Sequence, residues 1–207
     1  NHKYDQFKKS GGFKIDGKLD EPFWIMRRPL KPLNDQQSVT HRTMFGALVG
    51  SNAVYFGIRC NDETENPAKI TTTEDGTPTI WDGDFIEIHL ETDKHSYYQI
   101  VINPAGAMID LDRGARKDKW YRWSSRAEVA THVGRDFWSV EVRIPYVAQN
   151  DDPLHLVTGS KPSRNLPWFF NICRKRIRGD DKELSAFSPT ERDNFHNVMK
   201  FGKLWSK

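Results

Sequence analysis

An all-β chain, folded as an antiparallel two-sheet β-sandwich of immunoglobulin-like or jelly-roll-like type, follows from three features of the sequence. Apolar and polar residues alternate with period two in segment after segment, the spacing that sends every second side chain to one face of a strand. Turn signals separate these segments, as in sandwiches and barrels. The apolar period of an amphipathic helix is almost absent, so helix is expected only as short turns. The 207 residues suffice for one large sandwich whose core needs no disulfide staples. A single domain over 1–207 is expected, with its core from about 13 to 204.

In chain order, 40–49 and 54–60 flank Gly50-Ser51-Asn52 as a hairpin in which Val54, Phe56, Ile58 and Cys60 share a face. Segment 85–91 alternates strictly, with Ile86, Ile88 and Leu90 on one side and Glu87, His89 and Glu91 on the other. The next strand sets Tyr98, Ile100 and Ile102 against Tyr97, Gln99, Val101 and Asn103. Pro104-Ala105-Gly106 then turns the chain into 107–112. A second hairpin joins 127–133 to 138–144, with Trp138, Val140, Val142 and Ile144 inward and Pro145 expected to end the strand. Segments 168–175, 184–187 and 201–205 supply the remaining strands. Three connections are long, 61–80, 113–125 and 146–167, and such loops in a compact domain are commonly functional or disordered. The first delivers Trp81 among Asp82, Gly83 and Asp84, the second carries Trp120, Tyr121 and Trp123, and the third is expected to hold a helical turn.

Composition narrows the function classes. Charged residues make up 29% and hydrophobic residues 37%, a soluble, globular balance. The net charge of +3 is too small to argue for a nucleic-acid partner, which needs a clustered basic stripe. One cluster, Arg174, Lys175, Arg176 and Arg178, runs straight into Gly179-Asp180-Asp181 and reads as a solvated hairpin tip or as a contact for an acidic ligand such as a uronic-acid glycan. No stretch is apolar enough for a membrane-spanning helix, so no membrane partner is expected. The chain opens at Asn1-His2-Lys3 without an initiator Met, as expected of a processed or trimmed chain. Cys60 and Cys173 lack metal-type spacing; they form one long-range disulfide or stay as two buried thiols, and their apolar strand neighbours favour thiols.

The outward face of two consecutive strands carries the chemistry. Glu87 and His89 on one strand, with Gln99 and Asn103 on the next, form a row of planar donors and acceptors suited to fixing hydroxyl groups. Trp81, beside that face, offers a flat apolar plate for a pyranose ring. The alternatives are a polar exterior face or a satisfied buried network, with Trp81 capping the core. Around these residues the sequence resembles the family 9 carbohydrate-binding modules and their DOMON-like relatives. The resemblance rests on Phe13 to Trp24, Val54 to Asp62, Trp81 to Ile88, Phe169 to Ile172 and Phe201 to Leu204, in the family's order. It implies non-catalytic binding of an oligosaccharide or polysaccharide, clamped between Trp81 and a second aromatic at Phe195, with Glu87, Gln99 and Asn103 gripping hydroxyls. The sequence departs from the family at Val101 (Arg), Cys173 (Gln) and Arg192 (Asn), so the family's own sugar is not carried over, but Cys173 and Arg192 are kept as candidate ligand contacts. The resemblance further implies structural calcium, with Asp62, Glu63, Asp82 and Asp84 as oxygen donors. It also implies a secreted, cell-surface or periplasmic chain, monomeric, attached or once attached to a carbohydrate-active enzyme.

Three other classes compete. A glycosidase needs two carboxylates across a cleft, and Glu87 with Asp82 or Asp84 is the available pair. No Gly-x-Ser-x-Gly, His-Glu-x-x-His or phosphate-binding glycine loop occurs. A haem-binding electron-transfer sandwich needs axial ligands, for which His89 or His132 and Met44, Met108 or Met199 are present, but no Cys-x-x-Cys-His motif occurs, and haem is not the expected cofactor. A protein-interaction or adhesion domain uses the same kind of face.

Overall fold

The computed structural model describes residues 14–65, 67–149 and 152–206, so Phe13, at the head of the first family-like stretch, lies outside the described residues. Two sheets pack face to face. The smaller runs in the order β1 (Arg28–Pro29), β3 (Thr43–Val49), β4 (Ala53–Asn61), β9 (Phe137–Val147), β10 (Val157–Thr158), and β8 (Glu128–Val133) also pairs with β9. The larger runs β2 (Lys31–Pro32), β12 (Asp181–Ala186), β11 (Trp168–Arg178), β5 (Phe85–Glu91), β6 (Tyr98–Ile102), β7 (Met108–Asp112), and β13 (Gly202–Leu204) pairs with β11. All named pairings are antiparallel except the two-residue contact of β10 with β9. Among the described residues helix is limited to 3-10 turns at Pro78–Asp82, Lys117–Arg122 and Val198–Lys200. None is long and apolar enough to cross a membrane among the described residues.

The alternation in the sequence builds the core between the sheets. Val54, Phe56, Ile58 and Cys60 of β4 meet Ile86, Ile88 and Leu90 of β5 in one buried cluster, closed by Trp138 and Trp168. Truncating a buried aromatic such as Phe56 to Ala costs about 3–5 kcal/mol, through lost transfer energy and the cavity left behind. Both cysteines are buried free thiols, and burial pushes the Cys60 thiol up to about 11.

Two expectations fail for local reasons. Pro145 does not end β9, which continues to Val147. Tyr146 N–H donates to Asn52 O, so the neighbouring position faces the other edge, where β8 stops at the Glu128–Arg143 pair and no partner requires a donor. The described residues of the third long connection form the short strand β10 and a single hydrogen-bonded turn, His155 N–H to Asp152 O, but no helix.

The segment leading into β1 is fixed to the outer face of the smaller sheet by one buried carboxylate. Glu141 accepts from the Asp16 and Gly17 amides at 2.8 and 2.9 Å and from Trp24 Nε1 at 2.9 Å. Trp24 lies flat there because position 57 is glycine: an added Cβ would stand 2.6 Å from Leu19 Cδ2 and 2.9 Å from the indole.

Candidate functional site

The outer face of the larger sheet is not open to solvent. Loops cross it, and a second apolar cluster, including Leu33, Phe85, Val101, Cys173, Leu184 and Phe195, forms over its middle. Trp81 and Trp120 pack against that cluster and stay partly buried. Glu87, His89 and Gln99, expected outward on a polar face, are therefore outward but buried, at 3%, 0% and 1% exposure.

Register explains how they meet. His89 is paired with Gln99 on one side and with Asn171 on the other, and Glu87 lies two residues along the same face. Glu87 Oε2 accepts from Gln99 Nε2 at 2.9 Å and from His89 Nε2 at 2.6 Å. His89 Nδ1 and Gln99 Oε1 are then left buried without a hydrogen-bond partner. Such orphaned groups are uncommon, because each costs about 1–3 kcal/mol of unrepaid desolvation. The His196 ring stacks on His89 with centroids 5.5 Å apart and planes 10° from parallel, and Tyr97 Oη lies 3.2 Å from His196 Nδ1. Burial lowers His196 to about 4, so it is neutral at neutral pH.

The remaining residues expected at the site go elsewhere. Asn103 caps the β6–β7 turn: its Oδ1 accepts from the Ala105 and Ala107 amides, each at 3.0 Å, and its Nδ2 donates to Thr72 O at 2.7 Å. Cys173 is buried among apolar neighbours, and Arg192 is exposed on the loop before Phe195. Phe195 itself is 5% exposed and presents no open stacking face, whereas Trp81 and Trp120 both keep part of their surface accessible. Trp120 carries the Arg113 guanidinium 3.8 Å from its ring centroid. The aromatic run around it was visible in the sequence, but its arrival beside the sheet was not.

The four carboxylates expected to hold calcium do not fit an oxygen cage. Arg174, Arg176 and Arg178 occupy one side of β11, and all three reach Asp62: Arg174 Nη2 at 3.4 Å, Arg176 Nε at 3.2 Å and Arg178 Nη2 in close contact. Arg178 also binds Asp84 at 2.8 Å, and Arg176 binds Glu63 at 3.0 Å. Asp84 additionally accepts from the Ile177 amide, and burial lifts its carboxyl above the ordinary value. Asp82 is exposed. Guanidinium groups thus already supply the positive charge that Asp62, Glu63 and Asp84 require. Among the described residues no group of three or more His, Cys, Asp or Glu side chains converges to hold a metal. The three arginines of the basic run expected as a solvated hairpin tip are for the same reason an interior network, whereas Gly179 to Lys182 are exposed.

The residues proposed for rival chemistries are also placed. Strand alternation sends Asp84 and Glu87 to opposite faces of the sheet, so they do not face each other as an acid–base pair. His89 has its Nε2 committed to Glu87, His132 lies on β8 of the smaller sheet, and Met199 is 87% exposed.

No protein-family model matches the chain, and no curated protein matches it. Solved structures share its fold. A family 9 carbohydrate-binding module from Caldicellulosiruptor kristjanssonii in complex with cellotriose superposes with a TM-score of 0.63 at 16% identity, over 93% of this chain and 88% of that one. The module in complex with glucose gives 0.61 at 16% identity, over 93% and 90%. A candidate carbohydrate-binding protein from Bacteroides uniformis ATCC 8492 gives 0.64 at 13% identity, over 86% and 85%. This chain therefore has the β-sandwich fold of these proteins.

Proposed function

We propose that this chain binds carbohydrate without transforming it, on the outer face of the larger sheet, as a secreted or surface-located module. The observation that carries the reading is the buried Glu87–His89–Gln99 row with its two unpartnered atoms, bordered by the half-buried Trp81 and Trp120. A sugar hydroxyl is donor and acceptor at once, so neighbouring hydroxyls can satisfy an imidazole nitrogen and an amide oxygen while the indoles cover the apolar face of the ring. The solved complexes with glucose and cellotriose support the ligand class. Access requires Phe195 and His196 to move aside, because their loop covers the row. Calorimetry against neutral oligosaccharides tests this. Trp81→Ala should weaken binding by about tenfold or more, the loss expected of an aromatic anchor. Unchanged affinity in a folded Trp81→Ala, Trp120→Ala double variant would refute it, as would release of reducing sugar that Glu87→Gln abolishes.

A further inference from the structure

A cavity of about 660 Å³ lies at the margin of the sandwich, away from the Glu87 row. Beyond Phe45, β3 has no partner in the two-residue β1, and Gly46, Ala47 and Leu48, unpaired on that side among the described residues, line this cavity. Strand β13, paired with β11, lines it through Lys203 and Leu204, and Trp205 follows directly. Core aromatics back the cavity: Phe45 and Phe170 are buried, at 0% and 3% exposure, and only Phe187 beside them is partly exposed. Phe45 meets Phe187 edge-on at 5.0 Å, and Phe187 stacks on Phe170 at 5.2 Å. Trp24 adds to the lining, and Trp205 stands at the rim, 45% exposed.

Three cations line the same cavity: Arg27, Arg28 and Lys203, all exposed. Arg28 holds its guanidinium 5.8 Å from the Phe187 ring centroid. No carboxylate of the described residues pairs with any of the three, in contrast to Arg174, Arg176 and Arg178, which all bind carboxylates. The volume falls in the range of small-ligand sites, about 300–1,000 Å³, and the lining combines apolar plates with a few charged groups.

We propose that this cavity is a second binding site, specific for a carboxylate-bearing sugar chain such as an oligomer of uronic acid. The exposed Trp205, with the partly buried Trp24 and Phe187, suits the apolar face of a pyranose ring, and the three cations supply charge-assisted hydrogen bonds that a neutral sugar cannot use fully. A peptide lying along β3 would bond through its main chain and leave the exposed Trp205 without a stacking partner, so the sugar fits the lining better. The inference takes its ligand class from the carbohydrate reading above but uses none of its residues.

Titration calorimetry with a trimer of α-1,4-linked galacturonic acid, its methyl ester, cellotriose and a Glu-rich hexapeptide tests the proposal on the parent and on Lys203→Ala, Trp205→Ala and Trp81→Ala. The acid trimer should bind the parent more tightly than its ester does, and weaken as salt shortens the screening length. Lys203→Ala and Trp205→Ala, both at exposed positions and checked for folding by circular dichroism, should each lower its affinity by about tenfold. Trp81→Ala should leave it unchanged. The proposal falls if the trimer does not bind the parent, if ester or peptide binds as tightly, or if binding depends on Trp81 rather than Trp205. Cellotriose binding lost on Trp81→Ala, with no binding of the acid trimer, would overturn this second site alone; no binding of any sugar would overturn both.

Discussion

Replacing Asp62 by Asn tests whether the arginine network, rather than a metal ion, holds the sheets together beside β4 and β11. Asp62 is 5% exposed and is the one carboxylate that all three arginines share. Removing one partner of a buried ion pair costs about 3–5 kcal/mol, because the remaining charge stays desolvated. Here each arginine keeps something: Arg178 keeps Asp84, Arg176 keeps Glu63, and Arg174 keeps the Asn61 carbonyl at 2.9 Å and Thr43 Oγ1 at 3.1 Å. The loss should therefore fall near the lower bound, about 3 kcal/mol. For a domain of this length each kcal/mol moves the melting temperature by about 2–4 °C, so a drop of about 6–12 °C is expected. Scanning calorimetry of parent and variant, with and without a calcium chelator, reads both effects. The parent's melting temperature should ignore the chelator. A variant within about 2 °C of the parent, or a parent that chelation destabilises by several degrees, would refute the reasoning.

Further outcomes follow from particular contacts. Burial raises Asp110 from 3.8 to about 6, although it accepts from the Ser125 amide and hydroxyl. The native state therefore holds this proton longer than the unfolded chain, and Asp110 reduces stability as pH rises from about 4 to about 6. Urea titrations should show Asp110→Asn gaining on the parent through that window and holding a constant difference above it. His196 acts with the opposite sign, since its depressed pKa makes the native state lose stability as pH falls from 6.5 towards about 4; the parent–variant difference removes its contribution. Gly57→Val should destabilise by about 1–3 kcal/mol through overpacking against Leu19 and Trp24, read as a lower urea midpoint. Cys60 and Cys173 should resist iodoacetamide in the native protein and react on unfolding, because burial disfavours both thiolates; mass spectrometry of intact protein checks this.

Strand identity was legible because it is local. The strict alternation of 85–91 became β5 with the same bounds, and the four apolar positions of β4 entered the core. The Glu87, His89 and Gln99 row was legible too, as residues of one face, since period two and hairpin register fix that much. What the sequence alone could not determine was what covers that face. Loops distant in sequence lay Phe195 and His196 over the row, burying polar groups that alternation places outward. The same holds for charge. Arg174, Arg176 and Arg178 read as a solvated tip when only their neighbours in the chain are considered. Their partner Asp62 lies more than a hundred residues away, and only packing of β4's end against β11 brings it within reach. Alternation follows from the geometry of a single strand, whereas burial and ion pairing depend on contacts that exist only once both sheets and their loops have closed.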